Sequence, residues 1–291
     1  MTEAERSTSV ARLDQGLVEY RLEQRKGPAV LVLHGGHMRA GLALGEEVFA
    51  ESGYTVLAPS RPGYGHTPLS TGTSVSGFTD VIRALCEHLG ITEIVAVVGI
   101  SGGGPSAVTM SARHPDLVQR LILQSAVGWL AWPDRLTRVG AHAVFAPATE
   151  HATWAAIRGL MRLAPETCLG LLLGGLSTVP VRDVVAALRP EDRSTLVSLF
   201  SRMRSGSGFL NDLRPVPDVT SAVRQPTLVV ATRKDGAVPF AHAQSLTAAI
   251  ARAELVESQA DSHFIWCGHD WSTVAERIRA FLSAGPFMPL P

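Results

Sequence analysis

Cysteine is scarce in this chain: Cys86, Cys168 and Cys267 are the only three among 291 residues. Three thiols so far apart cannot build a disulfide framework, and their spacing matches no zinc-ligand pattern. Lysine is scarcer still, at Lys26 and Lys234 alone, with arginine supplying the remaining basic residues. That imbalance reads as coding bias before it reads as phosphate recognition. An excess of either charge is also missing, since 26 basic residues balance 26 acidic ones and charged residues make up only 18% of the chain. Nothing there argues for a nucleic-acid partner. Long apolar runs are absent too. The longest, Cys168–Val181, is too short to cross a bilayer and is interrupted by Gly174, Gly175 and Pro180. The opening residues MTEAERSTSVARLDQG carry no apolar stretch of signal-peptide type. The expectation is a cytoplasmic protein with no membrane span.

What the chain does have is core-forming material. Apolar residues make up 46% of it, and folding at this length buries roughly three quarters of the extended chain's surface. Val10–Leu13 and Leu17–Glu23 flank Asp14–Gln15–Gly16 and predict an opening hairpin. Almost wholly apolar runs follow at Ala29–Leu33, Thr55–Ala58, Ile94–Val98, Leu121–Leu123 and Thr227–Ala231. Such runs suit parallel strands covered on both faces. Between them, Phe78–Leu89 and Gly102–His114 carry helical patterns ended by Gly90 and Pro115, and Trp271–Leu282 closes the chain with another. The order predicts an α/β fold built on a mostly parallel, doubly wound sheet.

From Trp129 to Arg214 the strand-like runs vanish. Segments such as Trp154–Leu163, Pro165–Leu173, Val181–Leu188 and Glu191–Met203 read as short helices. We expect a helical cap over residues 129–214, inserted into a core made of 1–128 and 215–291.

Directly after the strand at Ile94–Val98 comes Gly99-Ile100-Ser101-Gly102-Gly103-Gly104 and then a helix. This is the G-x-S-x-G pattern in strand–turn–helix context, which lifts a serine hydroxyl clear of a sheet. Ser101 is therefore the candidate nucleophile. A dinucleotide-binding reading of the same glycines fails, because the spacing is wrong and Leu121–Gln124 ends without an acid. Strand Ala29–Leu33 runs into His34-Gly35-Gly36-His37, a loop able to offer the backbone N–H of Gly36 beside that of Gly102 to a negative oxygen. His34 reads as the imidazole holding this loop, and His37 as a surface residue or a pocket wall. A metal reading of the two finds no third ligand nearby in sequence.

A serine hydroxyl needs an imidazole base, and the imidazole needs an orienting carboxylate. His263, in a loop after the strand-like Glu254–Glu257, is the expected base, with His269 as its competitor. Asp235, in a turn after Thr227–Ala231, is the expected acid. Its plainer reading is a turn aspartate before Gly236. Asp261 stands too close to His263 in sequence to orient it, and Asp270 reads as a helix cap.

Taken together, the strand–Ser101–helix turn, the His34-Gly35-Gly36 loop and the order Ser101, Asp235, His263 resemble the serine-nucleophile α/β-hydrolase family, as a capped, carboxylesterase-like member. Ser60-Arg-Pro-Gly-Tyr-Gly65 is similar to that family's tight-turn loop, although many relatives have aspartate at Ser60 and glycine at Ser262. The resemblance implies the α/β-hydrolase fold with an eight-stranded sheet, a triad of Ser101, Asp235 and His263, an oxyanion hole at Gly36 and Gly102, and no cofactor or metal. It also implies a small-molecule ester substrate, mainly apolar given the aromatic residues of the cap region, and it leaves a homodimer open. Serine at the nucleophile position argues against dehalogenases and epoxide hydrolases of this fold, which use aspartate. Carbon–carbon bond hydrolases of dienoic acids, prolyl aminopeptidase-like enzymes and non-catalytic receptors on the same scaffold are the alternatives.

Overall fold

Each of the five short apolar runs expected as strands is a strand in the computed structural model, which describes residues 5–284. The extreme ends of the expected core, 1–4 and 285–291, lie outside the described residues. The chain opens with a hairpin of β1 (Ser9–Leu13) and β2 (Gly16–Glu23), whose turn enters β2 through Gly16 at φ 128°. Then come β3 (Ala29–Leu33), α1 (Glu47–Glu51), β4 (Thr55–Pro59), α2 (Val75–His88), β5 (Ile94–Ile100), α3 (Gly104–Arg113) and β6 (Leu121–Gln124). Among the described residues, six helices separate β6 from the next strand: α4 (Arg135–Val144), α5 (Glu150–Leu163), α6 (Pro165–Gly174), α7 (Val181–Ala187), α8 (Pro190–Arg202) and α9 (Gly208–Asp212). The sheet resumes with β7 (Thr227–Ala231), α10 (Ala241–Ala249), β8 (Ala253–Glu257) and α11 (Trp271–Ser283).

The eight strands form one sheet in the order β1-β2-β4-β3-β5-β6-β7-β8. Pairing is antiparallel from β1 through β2 to β4 and parallel from β4 to β8. Every residue of β3, β5, β6 and β7 is buried. This explains runs with no polar alternation, because helices cover both faces and each strand residue meets apolar neighbours on one side or the other. Within β3, Val30 and Val32 join the cluster on one face, and Leu31 and Leu33 the cluster on the other.

Two helix starts differ from the sequence pattern. α2 begins three residues before Phe78, because the Ser74 hydroxyl accepts the Gly77 N–H and caps a turn that precedes the apolar stripe. α3 begins at Gly104 because Ser101–Gly103 form a tighter 3₁₀ turn that closes the connection from β5. The six inserted helices have no separate core. Trp154, Met161, Leu169 and Leu199 pack into the same cluster as Val30, Val98 and Ile278. No helix among the described residues is long and apolar enough to cross a membrane.

Leu31 is completely buried in the sheet, whereas Leu163 at the end of α5 is 88% exposed. Leu31→Ala is expected to cost about 2–5 kcal/mol, and Leu163→Ala less than about 0.5 kcal/mol. Urea denaturation midpoints of the two variants check this contrast.

Candidate active site

The serine expected as nucleophile stands at the C-terminal edge of β5 with φ 50°, in the left-handed region that a residue with a side chain seldom enters. The glycines around it have no room for a Cβ. One at Gly99 would stand 2.6 Å from the Cβ of Ala107, one at Gly103 2.1 Å from the Leu33 carbonyl oxygen, and one at Gly104 2.4 Å from the Val127 carbonyl oxygen. Strand β3, helix α3 and the segment after β6 thus press on the turn from three sides. The Val127 N–H donates to the Ser101 carbonyl at 2.9 Å and ties the turn down. Ser101 faces a cavity of about 560 Å³, whose wall also includes Gly36 and His263.

Asp235 and His263 come from the loops that follow β7 and β8, and both are buried. Nδ1 of His263 donates to Oδ2 of Asp235 at 2.6 Å. The other carboxylate oxygen accepts the N–H groups of Ala237 and Val238, each at 2.8 Å, so the tight turn through Gly236 fixes the plane of the acid. The main chain of His263 is held as firmly. Its N–H donates to the Leu176 carbonyl at 2.8 Å, and its carbonyl accepts the Ser125 hydroxyl at 3.0 Å. The competitor His269 is exposed and lies outside the cavity wall. Asp270 does occupy the N-cap position of α11 but makes no side-chain cap bond, because its carboxylate accepts the Ser258 hydroxyl and the Gln259 N–H instead.

The loop after β3 approaches the serine closely. A Cβ at Gly35 would stand 3.1 Å from the Cβ of Ser101, and one at Gly102 would stand 3.6 Å from the Gly36 nitrogen. The Arg61 N–H donates to Nε2 of His34 at 3.0 Å, which leaves the ring proton on Nδ1 for the Gly35 carbonyl at 2.7 Å. The Gly35 carbonyl and the Gly36 N–H belong to one trans peptide unit and point in opposite directions. His34 therefore sets the direction of the Gly36 N–H by holding the other end of the same plane. His34 and His37 do not converge on a shared ligand position, since Nδ1 of His37 is bonded to the Ser205 hydroxyl.

Comparison with known proteins fits this geometry. A family model described as alpha/beta hydrolase fold matches residues 28–149, and a second, described as TAP-like protein, matches residues 211–287. The uncharacterized hydrolase YcgS of Bacillus subtilis (strain 168) is 32% identical over 285 residues, covering 96% of this chain and 99% of the relative. The chain belongs to the α/β-hydrolase family. The hydrolase is also 26% identical to the 2-hydroxymuconate semialdehyde hydrolase of Pseudomonas sp. (strain CF600), over 80% of this chain and 76% of that one. Among solved structures, an alpha/beta hydrolase fold protein from Nakamurella multipartita superposes on the hydrolase with a TM-score of 0.80 at 26% identity, covering 95% of this chain and 99% of that one.

Two attachments of the inserted helices to the hydrolase site escape sequence reasoning. The segment Leu176–Thr178, between α6 and α7, crosses both the Asp235 and the His263 loops. Ser177 pairs with Asp235 as an isolated antiparallel bridge, the Gly236 N–H donates to Leu176 at 3.2 Å, and the Thr178 N–H donates to Lys234 at 2.9 Å. Gly236 is glycine because a Cβ there would stand 2.7 Å from the Ser177 nitrogen. The second attachment is a buried ion pair. Asp212 of α9 takes the two Nη groups of Arg61 at 2.6 and 2.8 Å and the Tyr64 hydroxyl at 2.6 Å, while Nε of Arg61 donates to the His34 carbonyl at 2.8 Å. No local pattern links residues so far apart along the chain.

The histidines wholly or partly withdrawn from water give the hydrolase a defined acid sensitivity. Burial pushes the pKa of His37 down to about 3, and burial also holds His34, His114 and His242 below the ordinary imidazole value of 6.5. In the unfolded chain these rings regain ordinary values. Between about pH 6.5 and 4.5 the unfolded state therefore binds protons that the folded state excludes, and stability falls as pH falls. His37 alone contributes a slope of up to about 1.4 kcal/mol per pH unit. Urea midpoints are expected to decrease in the order pH 7, 6, 5; a constant midpoint would contradict this assignment.

Proposed function

We propose that the hydrolase cleaves carboxylic esters of small or medium, uncharged and mainly apolar compounds through an acyl-enzyme on Ser101. The observation that carries the reading is the 2.6 Å Asp235–His263 hydrogen bond, whose imidazole lines the same cavity as Ser101. His263 takes the Ser101 proton as Oγ bonds to the ester carbonyl carbon. Asp235 keeps the imidazole in place and stabilises its cation. The N–H groups of Gly36 and Gly102 receive the oxyanion. When the tetrahedral adduct collapses, the bond to the alcohol oxygen breaks and His263 delivers its proton to the leaving alcohol. Water then attacks the acyl-enzyme, with His263 again as base, and releases the acid.

The reading extends to the cap. We assign residues 129–214 to a cap that closes the site from above, because Phe145, Trp154, Ile157 and Phe200 wall the cavity. The preference for a neutral substrate rests on charge. Among the described residues, the cavity wall contains no lysine or arginine, and its only acids are Glu46 and Asp134. An anionic substrate would lose its water with no cation to replace it. The relative that acts on 2-hydroxymuconate semialdehyde, itself a carboxylate, favours a carbon–carbon bond hydrolase as the second reading. The cation-free wall speaks against it. All three cysteines are free, which suits the reducing cytoplasm expected from the sequence.

A fluorophosphonate probe is expected to label the wild type and to spare Ser101→Ala; equal labelling of both removes the serine mechanism. On 4-nitrophenyl butanoate, His263→Ala is expected to lower kcat by about 10³-fold or more. The wild type should also favour that ester over the anionic 4-nitrophenyl hydrogen succinate by at least about tenfold in kcat/KM, and the opposite order would favour the second reading.

A further inference from the structure

The reaction above gives no task to His37, although the residue lines the cavity and its ring packs among Phe145, Trp154 and Phe209, which line it too. Its backbone is held at φ 62°, in the left-handed region. The surroundings impose this conformation. The Arg204 N–H donates to the His37 carbonyl at 3.0 Å, and the ring centroid lies 4.1 Å from that of Phe209 and 4.7 Å from that of Phe145.

The hydrogen bonds around the ring allow one arrangement of protons. Nε1 of Trp154 donates to Oγ of Ser205 at 2.8 Å, and that oxygen lies 2.7 Å from Nδ1 of His37. An indole N–H can only donate, so the Ser205 oxygen accepts there. Ser205 is fully buried, and Nδ1 of His37 is the remaining partner for its hydroxyl proton. Nδ1 therefore accepts, and the ring proton sits on Nε2. Ser205 is itself anchored, because its N–H donates to Glu150 at 2.9 Å and the same carboxylate holds Arg204. Nε2 of His37 has no hydrogen-bond partner among the described residues and is not sealed inside the protein. The result is a neutral N–H donor of fixed direction in an aromatic wall.

We propose that the Nε2–H of His37 is the polar anchor of the substrate pocket, donating to a carbonyl or ether oxygen that the substrate carries in addition to its scissile ester. The proposal rests on the ester-hydrolase reading and narrows its substrates to esters with a second, uncharged acceptor oxygen. A pocket with such a donor discriminates against substrates that leave the donor unpaired in apolar surroundings. A neutral acceptor matches a neutral imidazole and a wall without cations.

The test compares matched esters. Wild type is expected to prefer 4-nitrophenyl 4-oxopentanoate or 5-oxohexanoate over pentanoate or hexanoate, or 2-methoxyethyl butanoate over butyl butanoate, by about tenfold in kcat/KM. In His37→Phe the ratio should fall to about one. Ser205→Ala, which keeps the ring but frees its tautomer, should lower the ratio too, and it decides the matter where His37→Phe does not fold. Unchanged ratios in the folded variants, or no preference in the wild type for either substrate part, overturn the proposal. Binding without turnover separates the two readings: tryptophan fluorescence titrations compare 4-oxopentanamide and 5-oxohexanamide with pentanamide and hexanamide. If the oxo amides bind more tightly but no ester is cleaved, the anchor stands and the ester reading fails. If esters are cleaved without any preference, the anchor fails and the ester reading stands.

Discussion

Ser101 adopts φ 50° because β5 must turn into α3 within a single 3₁₀ turn while neighbouring backbone crowds it from several sides. A non-glycine residue in that region costs of order 1–3 kcal/mol, and the surrounding packing has to hold it there. Here the restraint is the close approach of the Leu33 and Val127 carbonyls, which leaves space for glycine alone at 103 and 104. The same approach brings the loop after β3 against the serine, so the crowding that strains Ser101 also sets Gly35 and Gly36 beside it. Strain and site geometry have one cause.

The inserted helices are bound to this geometry by more than apolar contact. Leu176–Thr178 hydrogen-bonds to the loops of Asp235 and His263, Asp212 grips the arginine beneath the His34 loop, and Glu150 fixes the segment that reaches His37. A buried ion pair such as Arg61–Asp212 adds little net stability, because desolvation offsets most of its attraction. Its geometric demand is strict, however. Two parallel N–H···O bonds and a phenol hydroxyl admit only one placement of α9. Apolar packing such as that of Trp154 and Leu199 against the sheet sets the distance of the insert, and the polar contacts set its register.

The sheet is legible in the sequence because its signal is local. Ala29–Leu33 and Ile94–Val98 are apolar without alternation since both faces of each strand are covered, and Gly or Pro marks their ends. The turn at Ser101 is legible for a related reason, as small residues cluster where backbones meet. Asp235 and His263 are readable as turn residues after the last two strands, and their juxtaposition follows from strand order. Leu176–Thr178 carries no such mark. Its role lies in backbone hydrogen bonds to partners more than fifty positions away, and any residue type can supply a backbone carbonyl. The Asp212 partnership is hidden likewise, since an aspartate at the end of a short helix is ordinary until Arg61 is beside it. Asp270 shows the converse, a cap position whose side chain is drawn to Ser258 and Gln259 by the fold of the preceding loop.

The zero net charge of the chain has a local counterpart at the site. A Cβ at Gly102 would stand 3.4 Å from Oδ2 of Asp212 and 3.6 Å from Nη2 of Arg61, so opposite charges lie at nearly equal distance from the serine turn. The guanidinium is fully engaged, by the Asp212 carboxylate and the His34 carbonyl, and forms no part of the cavity wall. Paired in this way, the two charges largely cancel in their effect on the cavity. What remains near Ser101 are oriented dipoles: the peptide unit set by His34, the backbone N–H of Gly102 and the imidazole held by Asp235. Oriented dipoles of this kind act on charge that develops during a reaction, without favouring a charged ground state. Under the proposed ester hydrolysis, dipoles so arranged suit a neutral carbonyl better than an anion.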